Sequence, residues 1–297
     1  MIDNKENNYL LFGNPVNHSK SPIIYDLFSK QIDINFNYSV KCIEKQDFCN
    51  FVYNFFHSYG KGANVTVPFK EKAYKLSNIL TERAYISGSV NTLKSTENNR
   101  IVGDNTDGIG LLYDLKRLNF INLGFRVLLI GAGGAARGII PYLLSFNCSI
   151  DILNRTLERA NNIVSYFKHL GCIKAIKLNE FHKLYKLHYN LIIHTTSVDF
   201  QGNNRFFIPN IIFNSDKTFF YDICYSDDMT MFLKWCKSCG AKYYSDGIGM
   251  LVSQAAYSFY FWNNILPNID TVINYLNRNK KYKIYNVLNR IKNKKNT

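Results

Sequence analysis

A glycine-rich turn in the middle of the 297-residue chain is the feature that most constrains its fold. The apolar run Arg126–Ile130 leads directly into Gly131-Ala132-Gly133-Gly134-Ala135, and a segment with helical spacing of apolar residues follows. Glycines at such a strand-to-helix turn let the backbone approach a pyrophosphate, and the helix N-terminus favours its charge. The turn predicts a dinucleotide site formed by residues 131–135. More than a hundred residues precede it, and we expect them to hold the substrate.

The end of the next predicted strand indicates which nicotinamide cofactor binds. The strand Ile150–Leu153 ends in Asn154-Arg155-Thr156, and Arg159 follows one helical turn later. NAD enzymes carry an acidic residue at this point, whereas an arginine accommodates the 2′-phosphate of NADP. No carboxylate ends this strand, and a guanidinium is a permanently charged, bidentate phosphate ligand. We therefore predict NADP. The alternative is that Thr156 merely caps a helix and that both arginines are solvated.

Apolar runs alternate with helical patterns along the chain, which is typical of open α/β domains. Strands are predicted at 9–12, 36–41, 63–67, 126–130, 150–153, 190–194 and 219–223, with a hairpin joining 90–93 to 101–102. Helices are predicted at 22–31, 47–58, 69–80, 108–118 and 249–262. We predict an N-terminal open α/β substrate domain (1–106, completed by C-terminal helices in 247–277) and a Rossmann-type doubly wound NADP-binding domain (107–246). A cleft would separate the two domains, and 278–297 would form a basic tail.

The formal net charge of +14 is concentrated at the C-terminus. After Asp270 there is no acidic residue, and eight basic residues follow: Arg278, Lys280, Lys281, Lys283, Arg290, Lys292, Lys294 and Lys295. Because the rest of the chain is only mildly basic and lacks a basic-aromatic RNA signature, we do not expect a nucleic-acid partner. AT-biased codon use explains the basic excess; a weak electrostatic attachment of the tail to nucleic acid or acidic partners is the alternative. We expect that deleting the residues after Arg278 leaves turnover intact.

The remaining composition points to a cytoplasmic protein without a metal. No apolar run approaches the ~20 residues that span a bilayer, and the first eight residues lack a signal-peptide core. The seven cysteines have irregular spacing and do not describe a disulfide framework. Cys236 and Cys239 form one isolated C-x-x-C pair late in an amphipathic helix, which we attribute to chance rather than to a zinc or redox site. None of the six histidines shows metal-ligand spacing.

Three polar clusters follow predicted strands in the front part of the chain. Ser19 and Ser21 offer two hydroxyls before a helix, Lys70 begins another helix, and Asp107 follows a strand in Gly-Asp-Asn-Thr-Asp-Gly. Ligands of open α/β sheets bind beyond the carboxyl ends of the strands, so each cluster is a candidate site. The ordinary alternatives are an N-capping serine, a solvated lysine and a capped helix start.

Taken together, these motifs resemble the shikimate dehydrogenase family, whose members reduce 3-dehydroshikimate with NADPH. The resemblance runs from about Leu11 to Trp262 in order. It includes Gly-Asn-Pro-Val-Asn-His-Ser-Lys-Ser-Pro, Asn-Val-Thr-Val-Pro-Phe-Lys, Val-Asn-Thr-Leu, Gly-Asp-Asn-Thr-Asp-Gly, the glycine turn, Asn-Arg-Thr and Asp-Gly-Ile-Gly-Met-Leu-Val-Ser-Gln-Ala-Ala.

The resemblance implies a role for each matching position. Lys70 and Asp107 would form the catalytic pair, with Lys70 as the proton donor to the C3 oxygen. The other positions implied to contact substrate are Ser19 and Ser21 for its carboxylate, Thr66, Asn91 and Gln254 for its hydroxyls, and Tyr225. The positions implied to contact the cofactor are Asn154, Arg155 and Thr156 on the adenosine phosphate side and Ile223 and Gly247 beside the nicotinamide.

The resemblance further implies a reversible NADP-dependent oxidoreductase of aromatic amino-acid biosynthesis, acting as a monomer or homodimer on small molecules. One alternative is a quinate/shikimate dehydrogenase that uses NAD or NADP, and another is a nucleotide-binding module without catalysis. The chain departs from the family pattern in three places. His194 stands where an asparagine is common, Ile223 replaces a methionine of some relatives, and the basic tail extends past the usual end. We interpret His194 as a structural histidine.

Overall fold

The computed structural model describes residues 8–177, 188–196, 217–278, 280 and 282 of the chain. Within these residues the chain divides into two compact units. Over the described residues, unit 1 comprises 8–111, 137–139 and 251–275, and unit 2 comprises 112–136, 140–177, 188–196, 217–250, 276–278, 280 and 282. Among the described residues, every helix is too short or too polar to cross a membrane.

Unit 1 is built on a mixed sheet. Its strands are β1 (Asn8–Gly13), β2 (Asn37–Cys42), β3 (Gly60–Val65), β4 (Ile79–Leu80), β5 (Thr92–Ser95) and β6 (Ile101–Asp104). Its helices include α1 (Ser21–Ile32), α2 (Phe48–Ser58), α3 (Lys70–Leu76) and α4 (Glu82–Ser87), and α5 (Asp107–Leu118) begins in it. The described strands are ordered β2-β1-β3-β5-β6-β4. β5 runs antiparallel to both of its neighbours, which confirms the predicted hairpin with β6.

Aromatic and apolar side chains on one face of α2 form the core on one side of this sheet. Phe48, Val52 and Phe55 are buried at the spacing of one helix face. Phe12 of β1 is fully buried and meets Phe48 and Phe55 edge to face, at centroid distances of 6.5 and 5.4 Å. These aromatic side chains therefore belong to the core, as the sequence predicts.

The predicted helix 69–80 is wrong in its second half. α3 ends at Leu76, and Ile79–Leu80 pairs with β6 as a short edge strand. A second short helix, α4, follows. Its N-cap is Thr81, whose side chain accepts a hydrogen bond from the Ala84 amide, and its C-cap is Gly88 with φ 63°. Apolar residues continue at helical spacing through this region. The backbone groups at 78–80 nevertheless bond to β6, because the outer side of β6 offers unpaired backbone groups.

Unit 2 is built on a parallel sheet. Its strands are β7 (Arg126–Ile130), β8 (Ser149–Leu153), β9 (Ile173–Ile176), β10 (Leu191–His194), β11 (Phe219–Asp222) and β12 (Tyr243–Ser245). Its helices include α6 (Gly134–Ser145), α7 (Leu157–Phe167) and α8 (Met231–Ser238). The described strands are ordered β12-β11-β10-β7-β8-β9, and all pairs are parallel. This is the doubly wound order. Strands are added on one side of β7 up to β9 and then on its other side from β10, so the topological switch point lies between β7 and β10.

The last two helices follow β12. They are α9 (Ile248–Asn263) and α10 (Ile269–Arg278). The part of α9 that belongs to unit 1 packs against β5, where the Trp262 indole donates to the Leu93 carbonyl at 2.9 Å and the Ser258 hydroxyl lies 2.7 Å from that of Thr92. The two-domain α/β fold class expected from the sequence is confirmed, with the doubly wound sheet in unit 2.

Candidate active site

The predicted catalytic and substrate residues of unit 1 share one edge of its sheet. Asn64 of β3, Thr92 of β5 and Asp104 of β6 are aligned across neighbouring strands. Because β5 is antiparallel, the residue before it lies at the same edge as the residues after β3 and β6. Asn91, Thr66 and the segment that starts at Asn105 are therefore brought to a common edge by strand register alone.

Lys70 and Asp107 form an ion pair at this edge. The Lys70 Nζ lies 2.6 Å from Asp107 Oδ2, and the two side chains are 11% and 5% exposed. Each residue is the first of its helix, and the N-terminus of α5 favours the carboxylate. The lysine is thus not a solvated surface residue, and its charge is held next to the one acid that the sequence singled out for it.

Asn91 ties this pair to one further predicted residue, Gln254, and to Thr106. Its Nδ2 donates to Asp107 Oδ1 at 2.8 Å and to Gln254 Oε1 at 3.2 Å, and its Oδ1 accepts from the Thr106 amide at 2.9 Å. Lys70, Asn91, Asp107 and Gln254 are consequently connected in one network within unit 1. Since each partner restrains the next, the network orients their polar groups.

Ser19, Ser21 and Thr66 follow β1 and β3, which are adjacent strands. The Ser19 hydroxyl donates to Ser21 Oγ at 3.0 Å, and Thr66 donates its amide to the Phe12 carbonyl at 2.8 Å. The N-cap position of α1 is Lys20, and it makes no side-chain capping bond. Ser19 Oγ, however, accepts from the Ser21 amide at 3.2 Å, so one serine supports the start of α1, as in the alternative from the sequence. The paired hydroxyls of Ser19 and Ser21 stay candidates for a carboxylate ligand.

A buried ion pair next to the segment 104–107 was not predicted from the sequence. The Asp104 carboxylate is fully buried, and the Arg83 guanidinium donates to both of its oxygens. Asp104 Oδ1 also accepts from the Thr81 hydroxyl at 2.6 Å and from the Asn105 amide at 2.8 Å. Asn105 Oδ1 in turn accepts from the Asp107 amide at 3.0 Å. The signal was the first aspartate of Gly-Asp-Asn-Thr-Asp-Gly, but its partner lies in the helix that periodicity did not predict.

The glycine turn of unit 2 lies at the switch point between β7 and β10. Gly131 has φ +118°, and a Cβ at this position would lie 2.4 Å from Thr195 Oγ1. Nothing lies within 4 Å of a Cβ built on Gly133, the N-cap residue of α6. Position 131 thus requires a glycine, because its φ angle is positive and Thr195 leaves no room for a side chain. Gly133, in contrast, leaves open space in front of the N-terminus of α6. Ala132 completes the turn, and Gly134 and Ala135 are the first two residues of α6.

The residues after β8 fit an adenosine phosphate. Asn154 Nδ2 donates to the Thr156 carbonyl at 2.8 Å, which folds the segment back on itself. Thr156 occupies the N-cap position of α7 but makes no side-chain capping bond. Arg155 and Arg159 are both exposed. The alternative of a helix-capping threonine is not supported, and the two guanidinium groups are accessible to an anion.

Ile223 and Gly247 meet in unit 2. The Gly247 amide donates to the Cys224 carbonyl at 3.0 Å, and a Cβ on Gly247 would lie 2.1 Å from the Ile223 carbonyl oxygen. A side chain at 247 is therefore excluded by backbone atoms. Tyr225 follows β11 in the same unit and is half-buried.

His194 is a buried residue with a partner at each ring nitrogen. Nδ1 lies 2.9 Å from Asp222 Oδ1, and Nε2 lies 2.6 Å from Thr196 Oγ1. This agrees with a structural histidine. Within the described residues, the possible ligand atoms of His194, Asp222 and Cys224 lie within 4.8 Å of one another, a proximity that spacing along the chain did not indicate. Asp222 also accepts from the Thr230 hydroxyl and the Cys224 amide, so its carboxylate is already engaged.

A doubly wound sheet with a glycine turn at its switch point, and a lysine held against an aspartate at the edge of a second sheet, define a pyridine-nucleotide-dependent oxidoreductase. Three family models match the chain: the shikimate dehydrogenase substrate binding domain over 11–93, shikimate / quinate 5-dehydrogenase over 116–225, and the shikimate 5'-dehydrogenase C-terminal domain over 247–274. The chain belongs to the shikimate dehydrogenase family, which confirms the resemblance.

Individual similar proteins are shikimate dehydrogenases as well. The chain is 50% identical over 281 residues to the shikimate dehydrogenase (NADP(+)) of Buchnera aphidicola subsp. Baizongia pistaciae, covering 94% of this chain and 98% of that protein. The crystal structure of shikimate dehydrogenase from Aquifex aeolicus has a TM-score of 0.80 at 30% identity, covering 95% and 100% of the two chains. The shikimate 5-dehydrogenase from Thermus thermophilus, solved with NADP(H) and shikimate, has a TM-score of 0.77 at 26% identity, covering 92% and 99%.

Proposed function

We propose that this protein is an enzyme that catalyses the reversible NADPH-dependent reduction of 3-dehydroshikimate to shikimate. The observation that carries this proposal is the 2.6 Å ion pair between Lys70 and Asp107, which the same network joins to Asn91 and Gln254. The name of the 50% identical relative and the ligands of the Thermus structure support the same substrate and cofactor. The reaction would serve the route to chorismate and the aromatic amino acids.

The proton in this reaction is assigned to Lys70. Reduction of a ketone develops negative charge on the carbonyl oxygen, so a positioned cation that can give up a proton stabilises the transition state. Both oxygens of Asp107 are engaged, Oδ2 by Lys70 and Oδ1 by Asn91. Asp107 therefore holds the ammonium in place, and Lys70 Nζ donates the proton to the C3 oxygen. In the oxidation of shikimate, Lys70 takes the same proton back.

Substrate binding is assigned to the polar edge of the unit 1 sheet. Ser19 and Ser21 would bind the carboxylate with two adjacent hydroxyls, since a carboxylate accepts from several donors. Thr66, Asn91 and Gln254 would bond the ring hydroxyls, and Tyr225 is assigned to the substrate as well. Asn91 and Gln254 are held in place by their own hydrogen bonds, so the ring hydroxyls must match a fixed arrangement of polar groups.

NADP is assigned to unit 2 because its residues fit the cofactor. The glycine at 133 leaves space that a side chain would fill, and the N-terminus of α6 favours a pyrophosphate. Arg155 and Arg159, with Asn154 and Thr156, would bind the 2′-phosphate, while Ile223 and Gly247 would border the nicotinamide. When bound, NADPH supplies the hydride. For the domain division, 1–106 with 247–277 would form the substrate domain and 107–246 the NADP domain. Asp107 and Tyr225 would serve the substrate and Gly247 the nicotinamide across this division.

A direct spectrophotometric assay of NADPH oxidation tests this function. Purified protein is mixed with NADPH and 3-dehydroshikimate, and the loss of absorbance at the nicotinamide band is followed. We expect steady turnover that reverses when shikimate and NADP are supplied instead. No turnover in either direction would contradict the proposal. Gel filtration with light scattering would separate the monomer from the homodimer, and fractionation of cells would test the cytoplasmic location.

The second candidate is a quinate/shikimate dehydrogenase that accepts NAD or NADP. The description of the family model over 116–225 names both substrates. Steady-state rates with shikimate, quinate, NADP and NAD distinguish the two. Quinate turnover comparable to shikimate turnover, or a preference for NAD, would favour this candidate and replace the narrower assignment.

A further inference from the structure

Asp246 is a fully buried carboxylate next to the predicted nicotinamide residue Gly247. It lies between β12 and α9, and its Oδ1 accepts from the Ile248 amide at 3.3 Å. A buried charge is tolerated only when it is paired and hydrogen-bonded. One backbone amide does not satisfy a carboxylate, so other residues must compensate it.

The compensation comes from two residues beyond α10. The Lys280 Nζ lies 2.5 Å from both oxygens of Asp246, and the Lys280 side chain is only 4% exposed. The Tyr282 hydroxyl donates to Asp246 Oδ2 at 2.7 Å. The ammonium also lies 5.3 Å from the centre of the Tyr282 ring, within cation–π range. Burial first, and then the Asp246 carboxylate, raise the pKa of Tyr282, so its phenol stays protonated and donates.

We call the contacts of Lys280 and Tyr282 with Asp246 the clamp. The clamp holds the backbone that borders the predicted nicotinamide site. Gly247 directly follows Asp246, donates its amide to the Cys224 carbonyl and approaches the Ile223 carbonyl so closely that no side chain fits. The position of Gly247 therefore depends on how firmly its neighbour is held. All of these residues belong to unit 2.

We propose that Lys280 and Tyr282 are positioning residues that hold Asp246, and through it Gly247 and Ile223, for the nicotinamide half of the cofactor. The proposal rests on the NADP assignment above. It divides the basic tail at residue 282: the part up to Tyr282 belongs to the enzyme's binding machinery, contrary to the expectation that everything after Arg278 is dispensable. The other basic residues of the tail, Lys281, Lys283, Arg290, Lys292, Lys294 and Lys295, lie outside the described residues.

The test compares Lys280→Met with Arg278→Met in the full-length protein. Both changes remove one positive charge, but Arg278 is exposed at the end of α10. The dissociation constants of NADPH and of adenosine 2′,5′-bisphosphate, which lacks the nicotinamide, are measured by titration. We expect Lys280→Met to weaken NADPH about tenfold, because an uncompensated buried carboxylate moves toward water. Adenosine 2′,5′-bisphosphate binding and the KM for shikimate should stay within about twofold, the ordinary scatter of a neutral variant.

Further variants keep the test decisive if Lys280→Met is poorly folded. Lys280→Arg retains the charge and should restore NADPH binding. Tyr282→Phe keeps the ion pair, loses one hydrogen bond and should weaken NADPH about threefold. Truncation after Arg278 should behave like Lys280→Met, whereas truncation after Tyr282 should bind NADPH like the full chain.

The outcomes separate this proposal from the proposed function. Equal NADPH affinity in Lys280→Met and Arg278→Met, or equal weakening of NADPH and of adenosine 2′,5′-bisphosphate, overturns the clamp even if shikimate is turned over. A selective loss of NADPH affinity without turnover by the wild type supports the clamp and overturns the substrate assignment. A wild type that does not bind NADPH overturns both.

Discussion

At the carboxyl edge of the first sheet, the candidate catalytic side chains are bonded to one another, whereas at the edge of the second sheet the key positions lack a side chain or expose one. Lys70, Asp107, Asn91 and Gln254 restrain each other through short contacts. In unit 2, Gly131 and Gly133 act by what they leave out, and Arg155 is exposed. A site that must place a proton needs oriented groups, while a phosphate site needs accessible backbone amides and charge.

The difference predicts that substitutions in unit 1 mainly affect the chemical step. The largest effect is expected for Lys70→Ala, which should lower kcat about a thousandfold, the range of a lost general acid. NADPH affinity should be unchanged, as measured by fluorescence titration. Lys75→Ala, an exposed lysine of the same helix, is the control and should leave kcat intact. Equal losses in both variants would remove the special role of Lys70.

The second largest effect concerns the ion pair of Arg83 and Asp104, which lies next to the segment 104–107. Arg83→Met leaves the fully buried Asp104 without its cation, so we expect the free energy of unfolding to fall by about 3 kcal/mol. Denaturant unfolding measures this value, and Arg100→Met, an exposed arginine, is the control. The kcat of the folded fraction should also fall, since Asn105 links Asp104 to Asp107. A stability equal to that of Arg100→Met would contradict the buried pair.

Two variants test whether each glycine of the turn is needed for its backbone conformation or for the space that it leaves to the cofactor. Gly131→Ala should lower the free energy of unfolding by about 2 kcal/mol, because a side chain is strained at φ +118° and would overlap Thr195. Gly133→Ala should leave the free protein nearly as stable as the wild type but weaken NADPH, since its methyl group enters the space for the pyrophosphate. Thermal melts with and without NADPH separate the two. Identical behaviour of the variants would contradict the different reasons given for the two glycines.

The smallest expected effect concerns the choice between cofactors. Arg155→Ala should raise the Kd for NADP about tenfold, or about 1.4 kcal/mol, by removing a charged phosphate ligand, and should leave the Kd for NAD unchanged. Arg159→Ala should act in the same direction. Lys168→Ala, exposed at the far end of α7, is the control for the loss of one charge. A parallel loss of NAD and NADP affinity in Arg155→Ala would assign this arginine to stability instead.

The predictability of the fold differed between long and short elements. Strands with continuous apolar runs, such as Arg126–Ile130, and the aromatic face of α2 were predicted from their periods. The two-residue strand Ile79–Leu80 was missed, and so were Ile173–Ile176 and Tyr243–Ser245. Elements of two to four residues carry too few positions for a period, and they form because a neighbouring strand offers unpaired backbone groups.

The candidate site shows the same division. The sequence identified Lys70, Asp107, Asn91 and Gln254 by their motifs, but it gave no reason to connect Arg83 with Asp104 or Lys280 with Asp246. Those partners are 21 and 34 residues apart along the chain. No local pattern specifies such a pair, because an ion pair depends on which surfaces the fold brings together.

By itself, the sequence determined the family, the alternation of strands and helices, and the identity of the groups that could bind a phosphate or move a proton. These properties depend on residue type and on spacing within one element. Only the tertiary structure decided which buried carboxylate each cation compensates, that Asn91 bonds to the ion pair of Lys70 and Asp107, and that Lys280 and Tyr282 reach Asp246. The reason is that burying a charge is costly, and both burial and its compensation exist only once distant segments are packed.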